Sequence, residues 1–370
     1  MKIVCFLASL SQPRCIKRVK SLLEGNHEVI VYGFYRGYYD INEFPPSVKV
    51  YSWGNIQSGK GYFSRFKLIY NNIKQCFKLY KNETVLYYCF SFESALLTSI
   101  FTNSKFIYEI SDLIYCYFNS KPLKYLFKAI DKFIIKKSYR TVLTSGGFYD
   151  YLYGDKKDNV AEKFIILPNK LSSYFSNIKR SELSLNHESK IRFAYIGAFR
   201  YPDTIFRFAR IIGEHFPQYE FSFYGDSNLT PLAKELANKF SNIHYWGKFK
   251  NPEDLASIYN NVDVVTACYD IKDGENEKVA EPNKLYEAIG FCKPIVVSKH
   301  TYLSKRVNEL NVGFTIEADN DEKIINFLKN LNIEEINNIS SKEYSLSNEE
   351  FIDSPSLLLS EIQKLQYKYQ

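Results

Sequence analysis

A chain of 370 residues, 45% hydrophobic and 24% charged, is long enough for two cores and too apolar to remain disordered. Its net charge of +7 is unevenly spread: residues 1–180 hold 27 Lys and Arg against 13 Asp and Glu, and the remainder holds 21 against 28. No run approaches the ~18 apolar residues of a membrane span. The seven cysteines are odd in number and never form a Cys-x-x-Cys pair, which argues for free thiols in a reducing compartment and against a zinc site.

Short apolar runs alternate with longer amphipathic ones, the pattern of βα units and parallel sheets. The apolar start is brief and runs straight into Gln12-Pro-Arg14 without a cleavage site, so it reads as a buried strand and not a signal peptide. In the first half, strands are predicted over 2–6, 28–32, 84–88, 105–109, 141–144 and 164–167, with helices over 16–24, 63–80, 93–101, 123–138 and 147–153. From 168 to 189 the composition turns polar and reads as a linker between domains. A second series follows: strand 191–196, helix 204–215, strand 219–224, helix 231–240, strand 243–246, helix 252–260 and strand 262–268. A helix, a turn and a strand over 281–297 complete it. A last helix over 356–370 carries Leu357, Leu358, Ile362 and Leu365 on one stripe.

The segment from Glu281 to Val297 is the most informative. Pro282 suits the first helical position, where its missing N–H would be unpaired anyway. Lys284 and Glu287 are three apart and share one helix face near an end whose free N–H groups attract anions. Leu285, Ala288 and Ile289 turn the other way, into the core. A lysine for phosphate beside a carboxylate for paired hydroxyls is the grip a ribose diphosphate needs, although the same spacing also describes a solvated ion pair. The string PNKLYEAIGFCKPIVVS resembles the donor-site signature of bacterial glycosyltransferases of the GT-B fold, especially the GT4 family and its capsule-synthesis relatives. That resemblance implies an α/β architecture of two Rossmann-like domains facing a central cleft. Residues 1–170 would form the acceptor- and membrane-facing domain and 171–355 the nucleotide-sugar domain, with the helix 356–370 packing back on the first. It also implies that Glu287 binds ribose hydroxyls and Lys284 the diphosphate.

Ligands of such sheets bind in the loops at the carboxyl ends of the strands. After the strand 191–196 comes Gly197-Ala-Phe-Arg200, where glycine allows close approach of the backbone to a phosphate and a guanidinium offers a forked grip. It resembles a GT4 loop, which makes Gly197 and Arg200 further diphosphate ligands. Two cations and no metal motif fit an enzyme that needs no metal or other cofactor beyond its nucleotide-sugar donor, most simply UDP-linked. Gly225 resembles a family G-x-G turn shortened to one glycine. Gly247, Lys248 and Phe249 resemble the strand and turn that meet the base, with a flat side chain nearby, and Glu281 and Asn283 complete the base and sugar pocket.

In the first half, Tyr108-Glu-Ile-Ser-Asp112-Leu113 resembles the family's Y-D-x-H-D-L, with Ser111 where many members carry histidine. Asp112 is the candidate catalytic base if the reaction inverts, and a helix cap on the structural reading. The entry loop with Arg14 and Lys17 resembles a P-R-x-x-K start and places both on the acceptor side. A second glutamate of retaining GT4 enzymes falls here on Val279, with Glu281 two positions off, so stereochemistry stays open.

Two stretches interleave cations with aromatic and aliphatic residues: 60–81, with Lys60, Arg65, Lys67, Lys74 and Lys78 among Phe63, Phe66, Tyr70 and Phe77, and 123–140, with Lys124, Lys128, Lys132, Lys136 and Lys137. Such faces suit shallow docking on an anionic membrane. The resulting expectation is a cytoplasmic glycosyltransferase at the inner membrane face, moving a sugar from a nucleotide donor to a lipid-linked oligosaccharide for capsular or other surface polysaccharide. Two other readings are a non-catalytic GT-B-like scaffold and a nucleic-acid binder using the basic half. No nucleic-acid motif is present and the acidic second half opposes the latter.

Overall fold

Both series of strands form all-parallel sheets in the computed structural model, which describes residues 1–36, 44–56, 62–154, 160–272 and 274–368, with side chains of 62–65 excepted. The chain divides into two compact units, Met1–Pro168 with Ser354–Gln370, and Asn169–Asp353.

The first unit contains β1 (Lys2–Leu7), β2 (Glu28–Tyr35), β3 (Lys49–Asn55), β4 (Val85–Cys89), β5 (Phe106–Ile110), β6 (Arg140–Leu143) and β7 (Phe164–Ile166), in the order β3-β2-β1-β4-β5-β6-β7. Central strands β1, β4 and β5 are buried almost end to end, which is why they read as continuous apolar runs. β3 escaped the sequence reading because it is an edge strand, mostly exposed, without an apolar run. The strand order reverses between β1 and β4, which opens a crevice at their carboxyl ends. The helix Ser356–Tyr367 belongs to this unit: Leu358, Ile362 and Leu365 join its core, and Arg140 donates to Glu361 at 2.7 Å.

The second unit contains β8 (Ile191–Ile196), β9 (Tyr219–Tyr224), β10 (Ile243–Gly247), β11 (Val264–Ala267), β12 (Ile295–Ser298) and β13 (Gly313–Ile316), in the order β10-β9-β8-β11-β12-β13. Its reversal lies between β8 and β11. β13 and the helices Tyr302–Leu310, Asp321–Lys329 and Ile333–Ser345 carry no sequence prediction.

Three local departures have physical causes. The polar stretch 168–189 is irregular but is part of the second unit: Leu171 and Phe175 are buried in its core. Arg180 anchors it by donating to the carbonyl oxygens of Ile289 (3.1 Å), Tyr344 (3.2 Å) and Leu346 (2.9 Å), so one guanidinium satisfies the carboxyl ends of two helices. Pro282 is the N-cap, and the helix begins at Asn283, one residue later than predicted. The helix predicted from 204 is entered through a π-helical turn, Pro202–Phe206, before Arg207–His215.

Candidate functional site

At the carboxyl ends of β8, β9 and β10 stand three glycines with positive φ: Gly197 (130°), Gly225 (136°) and Gly247 (82°). The Gly197 amide donates to the Tyr224 carbonyl oxygen at 2.8 Å, and the Gly225 amide to that of Gly247 at 2.7 Å, so consecutive strand ends are stitched together. A Cβ on Gly225 would lie 2.0 Å from the Gly197 carbonyl oxygen, and one on Gly197 would lie 2.9 Å from Lys284 Nζ. Only glycine lets these two strand ends come this close.

Lys284 is the second residue of the helix Asn283–Phe291 and is buried. Its ammonium lies 4.8 Å from the centroid of the Tyr195 ring, a cation–π contact that recovers part of the cost of leaving water. Burial pulls its pKa down to about 8, Glu287 one turn on resists, and Arg200 adds to the fall. Gly197 and Lys284 meet at the switch point of this sheet, with Glu287 one turn further along the same helix and exposed Arg200 three residues after Gly197. A buried ammonium is an unfavourable arrangement that an anion such as a diphosphate would relieve.

Glu287 is buried too, and both its oxygens are held: the Asn283 side-chain amide donates to Oε1 at 2.6 Å and the Tyr259 hydroxyl to Oε2 at 2.9 Å. Tyr259 stacks on Phe291 at 4.4 Å, which fixes its ring. Asn283 therefore orients the glutamate. Glu281 is engaged elsewhere: its Oε1 accepts from Arg306 Nε at 3.3 Å and from the Tyr286 hydroxyl, and it shares that guanidinium with Glu309 at 2.6 Å. Burial raises its pKa while Tyr286 and Arg306 hold it back. Gly247, Lys248 and Phe249 continue the strand-end row. Lys248 is exposed and lies 3.6 Å from Asp226, and Phe249 packs partly into the core. Trp246, just before them, is exposed and nearly parallel to Tyr224 at 6.1 Å.

Sequence reasoning missed Tyr195 and Tyr259, both buried and therefore indistinguishable from core aromatics by pattern. Further polar and aromatic groups stand on the far side of the switch point. There the Thr204 hydroxyl lies 2.6 Å from both the Cys268 carbonyl oxygen and an Asp270 carboxylate oxygen, and Tyr201 stacks on Tyr269 at 4.4 Å. The signal available was position alone, since Tyr269 and Asp270 follow β11.

In the first unit, a cavity of roughly 330 Å³ opens at the carboxyl ends of β1, β4 and β5, lined among others by Arg14, Arg36, Glu93, Glu109, Ser111 and Asp112. Arg14 and Asp112 thus share one cavity, and Lys17 is not among its lining residues. Glu109 Oε2 accepts from buried Arg18 Nε at 3.2 Å and from the Tyr88 hydroxyl at 2.6 Å. Burial lowers the Arg14 pKa, but Cys15, Glu109 and Asp112 outweigh it and the net shift is upward, so this cation stays charged. Among the described residues no group of three or more His, Cys, Asp and Glu side chains is arranged to hold a metal ion.

No protein-family model matches the chain. The succinoglycan biosynthesis protein ExoL of Rhizobium meliloti is 28% identical over 86 residues, which are 23% of this chain and 21% of that protein, so the match spans about a fifth of the curated relative. Among solved structures, the sucrose-phosphate synthase of Thermosynechococcus elongatus matches with a TM-score of 0.69 at 13% identity, over 100% of this chain and 99% of that one. Anabaena HepE in complex with UDP and glucose matches at 0.64 and 12%, over 100% and 99%. WaaG, a glycosyltransferase involved in lipopolysaccharide biosynthesis, matches at 0.63 and 13%, over 93% and 94%.

Proposed function

We propose that this chain, which has the GT-B glycosyltransferase fold, is itself a glycosyltransferase. It moves a sugar from a UDP-linked donor to a lipid-linked saccharide at the inner membrane face, in the synthesis of a surface polysaccharide. The observation that carries this reading is buried Lys284, set over Tyr195 and against Gly197 with Glu287 one turn on. In this reading Lys284 and Arg200 neutralise the diphosphate as the bond from the sugar to its phosphate oxygen breaks, the charge that most needs stabilising. Glu287, held by Tyr259 and Asn283, accepts the ribose hydroxyls. Asp112 takes the proton of the acceptor hydroxyl that attacks the sugar, in the cavity that also holds Arg14. The similarity to ExoL supports a polysaccharide product, and the UDP and glucose complex of HepE supports a UDP donor.

Membrane contact is supported by three helices of the first unit. Tyr70 of Tyr62–Leu79 meets Phe101 of Phe92–Phe101 at 5.5 Å, and Phe92 meets Phe127 of Lys121–Lys137 at 5.3 Å. On the last helix Tyr125, Leu126 and Phe133 are exposed beside exposed Lys121, Lys136 and Lys137, while Asp131, Ile134 and Ile135 face inward. Leu68, Leu79, Ile100 and Phe101 extend the exposed apolar set. Lys60 lies outside the described residues, as do the side chains of Phe63 and Arg65. No described helix is long and apolar enough to cross a membrane.

The direct test is calorimetric titration with UDP, GDP, ADP and CMP on wild type, Lys284→Ala and Glu287→Ala. Binding of UDP that both substitutions weaken by tenfold or more supports the donor site. Absence of binding by all four nucleotides removes it.

A further inference from the structure

We infer that Asp131 is a positioning residue for the cavity of the first unit, its carboxylate pinning Tyr108 and Tyr115 and thereby setting the short segment between them that carries Ser111 and Asp112. The inference rests on reading that cavity as the acceptor site. Asp131 lies on the inward face of the helix Lys121–Lys137 and is 1% exposed. Each of its oxygens takes one tyrosine: the Tyr108 hydroxyl donates to Oδ1 at 2.9 Å and the Tyr115 hydroxyl to Oδ2 at 3.1 Å. Both tyrosines are themselves buried. Tyr108 belongs to β5 and lines the cavity, and Tyr115 belongs to the 3₁₀ turn Ile114–Tyr117, whose Ile114 also lines it. A single carboxylate therefore closes a loop around Ser111 and Asp112, holding both of its ends.

The helix that supplies Asp131 is the same one whose outer face carries Tyr125, Leu126 and the exposed lysines, so the cavity's rim is braced from beneath the proposed membrane surface. The titratable groups around it are few. Tyr108 and Tyr115 bond to it directly; Tyr108 also senses Glu93 of the helix Phe92–Phe101, and Tyr115 senses Cys116 and Tyr151. On its own helix Lys128 is engaged at 2.6 Å by the Tyr151 carbonyl oxygen, and Lys132 lies over the Tyr153 ring at 4.7 Å. Burial pushes the Asp131 carboxyl up to about 7, against the two tyrosine bonds that hold it down. As a carboxylate it accepts from both tyrosines. Once protonated, one oxygen carries a hydrogen of its own and the two-point clamp loosens.

Hydrogen exchange measured by mass spectrometry on the full chain tests this, with wild type, Asp131→Asn and Tyr115→Phe at pH 6 and pH 8, corrected for intrinsic rates. Amides of residues 111–117 should exchange at least tenfold faster in both variants at pH 8, with β1, β4 and β5 unchanged. In wild type their protection should fall between pH 8 and pH 6, and Asp131→Asn should lack that step. Unchanged exchange of 111–117 in both variants, an even loss of protection across the unit, or the absence of a wild-type pH step would overturn the inference. UDP titration of the same proteins separates the two readings: all three should bind UDP alike. A wild type that fails to bind UDP would refute the donor site while leaving the exchange data to decide the role of Asp131.

Discussion

At Lys284, burial and charge pull in opposite directions, and the balance makes a pH prediction. Its folded pKa, near 8, lies below the 10.5 of an exposed lysine, with burial the main cause. Between those values the unfolded chain binds more protons than the folded one, so this residue's contribution to folding stability improves as pH rises through that window. In the proposed donor site nucleotide binding uses the ammonium and therefore runs the other way. UDP affinity should fall about tenfold or more between pH 7 and pH 9.5 in wild type and stay flat in Lys284→Ala, read by calorimetry. A flat wild-type profile would take the ammonium out of the site. Glu287 makes a second prediction. Tyr259→Phe removes one of its two identified donors and strips a buried carboxylate oxygen, which should cost about 1–3 kcal/mol in urea unfolding and weaken UDP several-fold. The spacing of Lys284 and Glu287 was legible in the sequence. Their supports were not, because Tyr195 and Tyr259 come from other elements and meet the helix only in three dimensions.

The strand-end glycines show what an element can and cannot tell about itself. Each was visible as a glycine after an apolar run, yet only the sheet reveals that they differ in consequence. A Cβ on Gly225 would stand 2.0 Å from a backbone oxygen, whereas one on Gly247 meets nothing closer than 3.8 Å. Gly225→Ala should therefore destabilise the second unit by roughly 3 kcal/mol or more, through both clash and positive φ. Gly247→Ala should cost only about 1–2 kcal/mol, from φ alone. Equal shifts in the urea midpoint would contradict the stitched arrangement. The same limit explains why β3 was missed: an exposed edge strand has no continuous apolar run to announce it.

For the whole molecule, the uneven charge becomes a prediction about surfaces. The excess of cations in residues 1–180 accompanies an exposed apolar set on the helices Tyr62–Leu79, Phe92–Phe101 and Lys121–Lys137. Replacing Lys121, Lys136 and Lys137 with glutamine should weaken binding to vesicles with anionic lipid by roughly 100-fold at low salt, at about 1 kcal/mol per cation. Tyr125→Ala with Leu126→Ala should weaken it further at high salt, where only the apolar contact persists. Cosedimentation that is insensitive to all five substitutions would leave the surface without this role.

Periodicity and apolar runs announced parallel α/β folding through most of the chain, because hydrophobic spacing is a local property that each element carries by itself; the division into two Rossmann-like units rested on chain length and on the family resemblance of residues 281–297. The helix of the proposed donor site was legible for the same reason, its charges and turn falling within one short segment. Which loops converge was decided by strand order, since the reversals at β1–β4 and β8–β11 depend on pairing between distant segments. So was the fate of the polar stretch after Pro168, which Arg180 ties to two helix ends. The clamp at Asp131 belongs to the same class: its carboxylate and the two tyrosines come from three separate elements, and only packing brings them within hydrogen-bond reach.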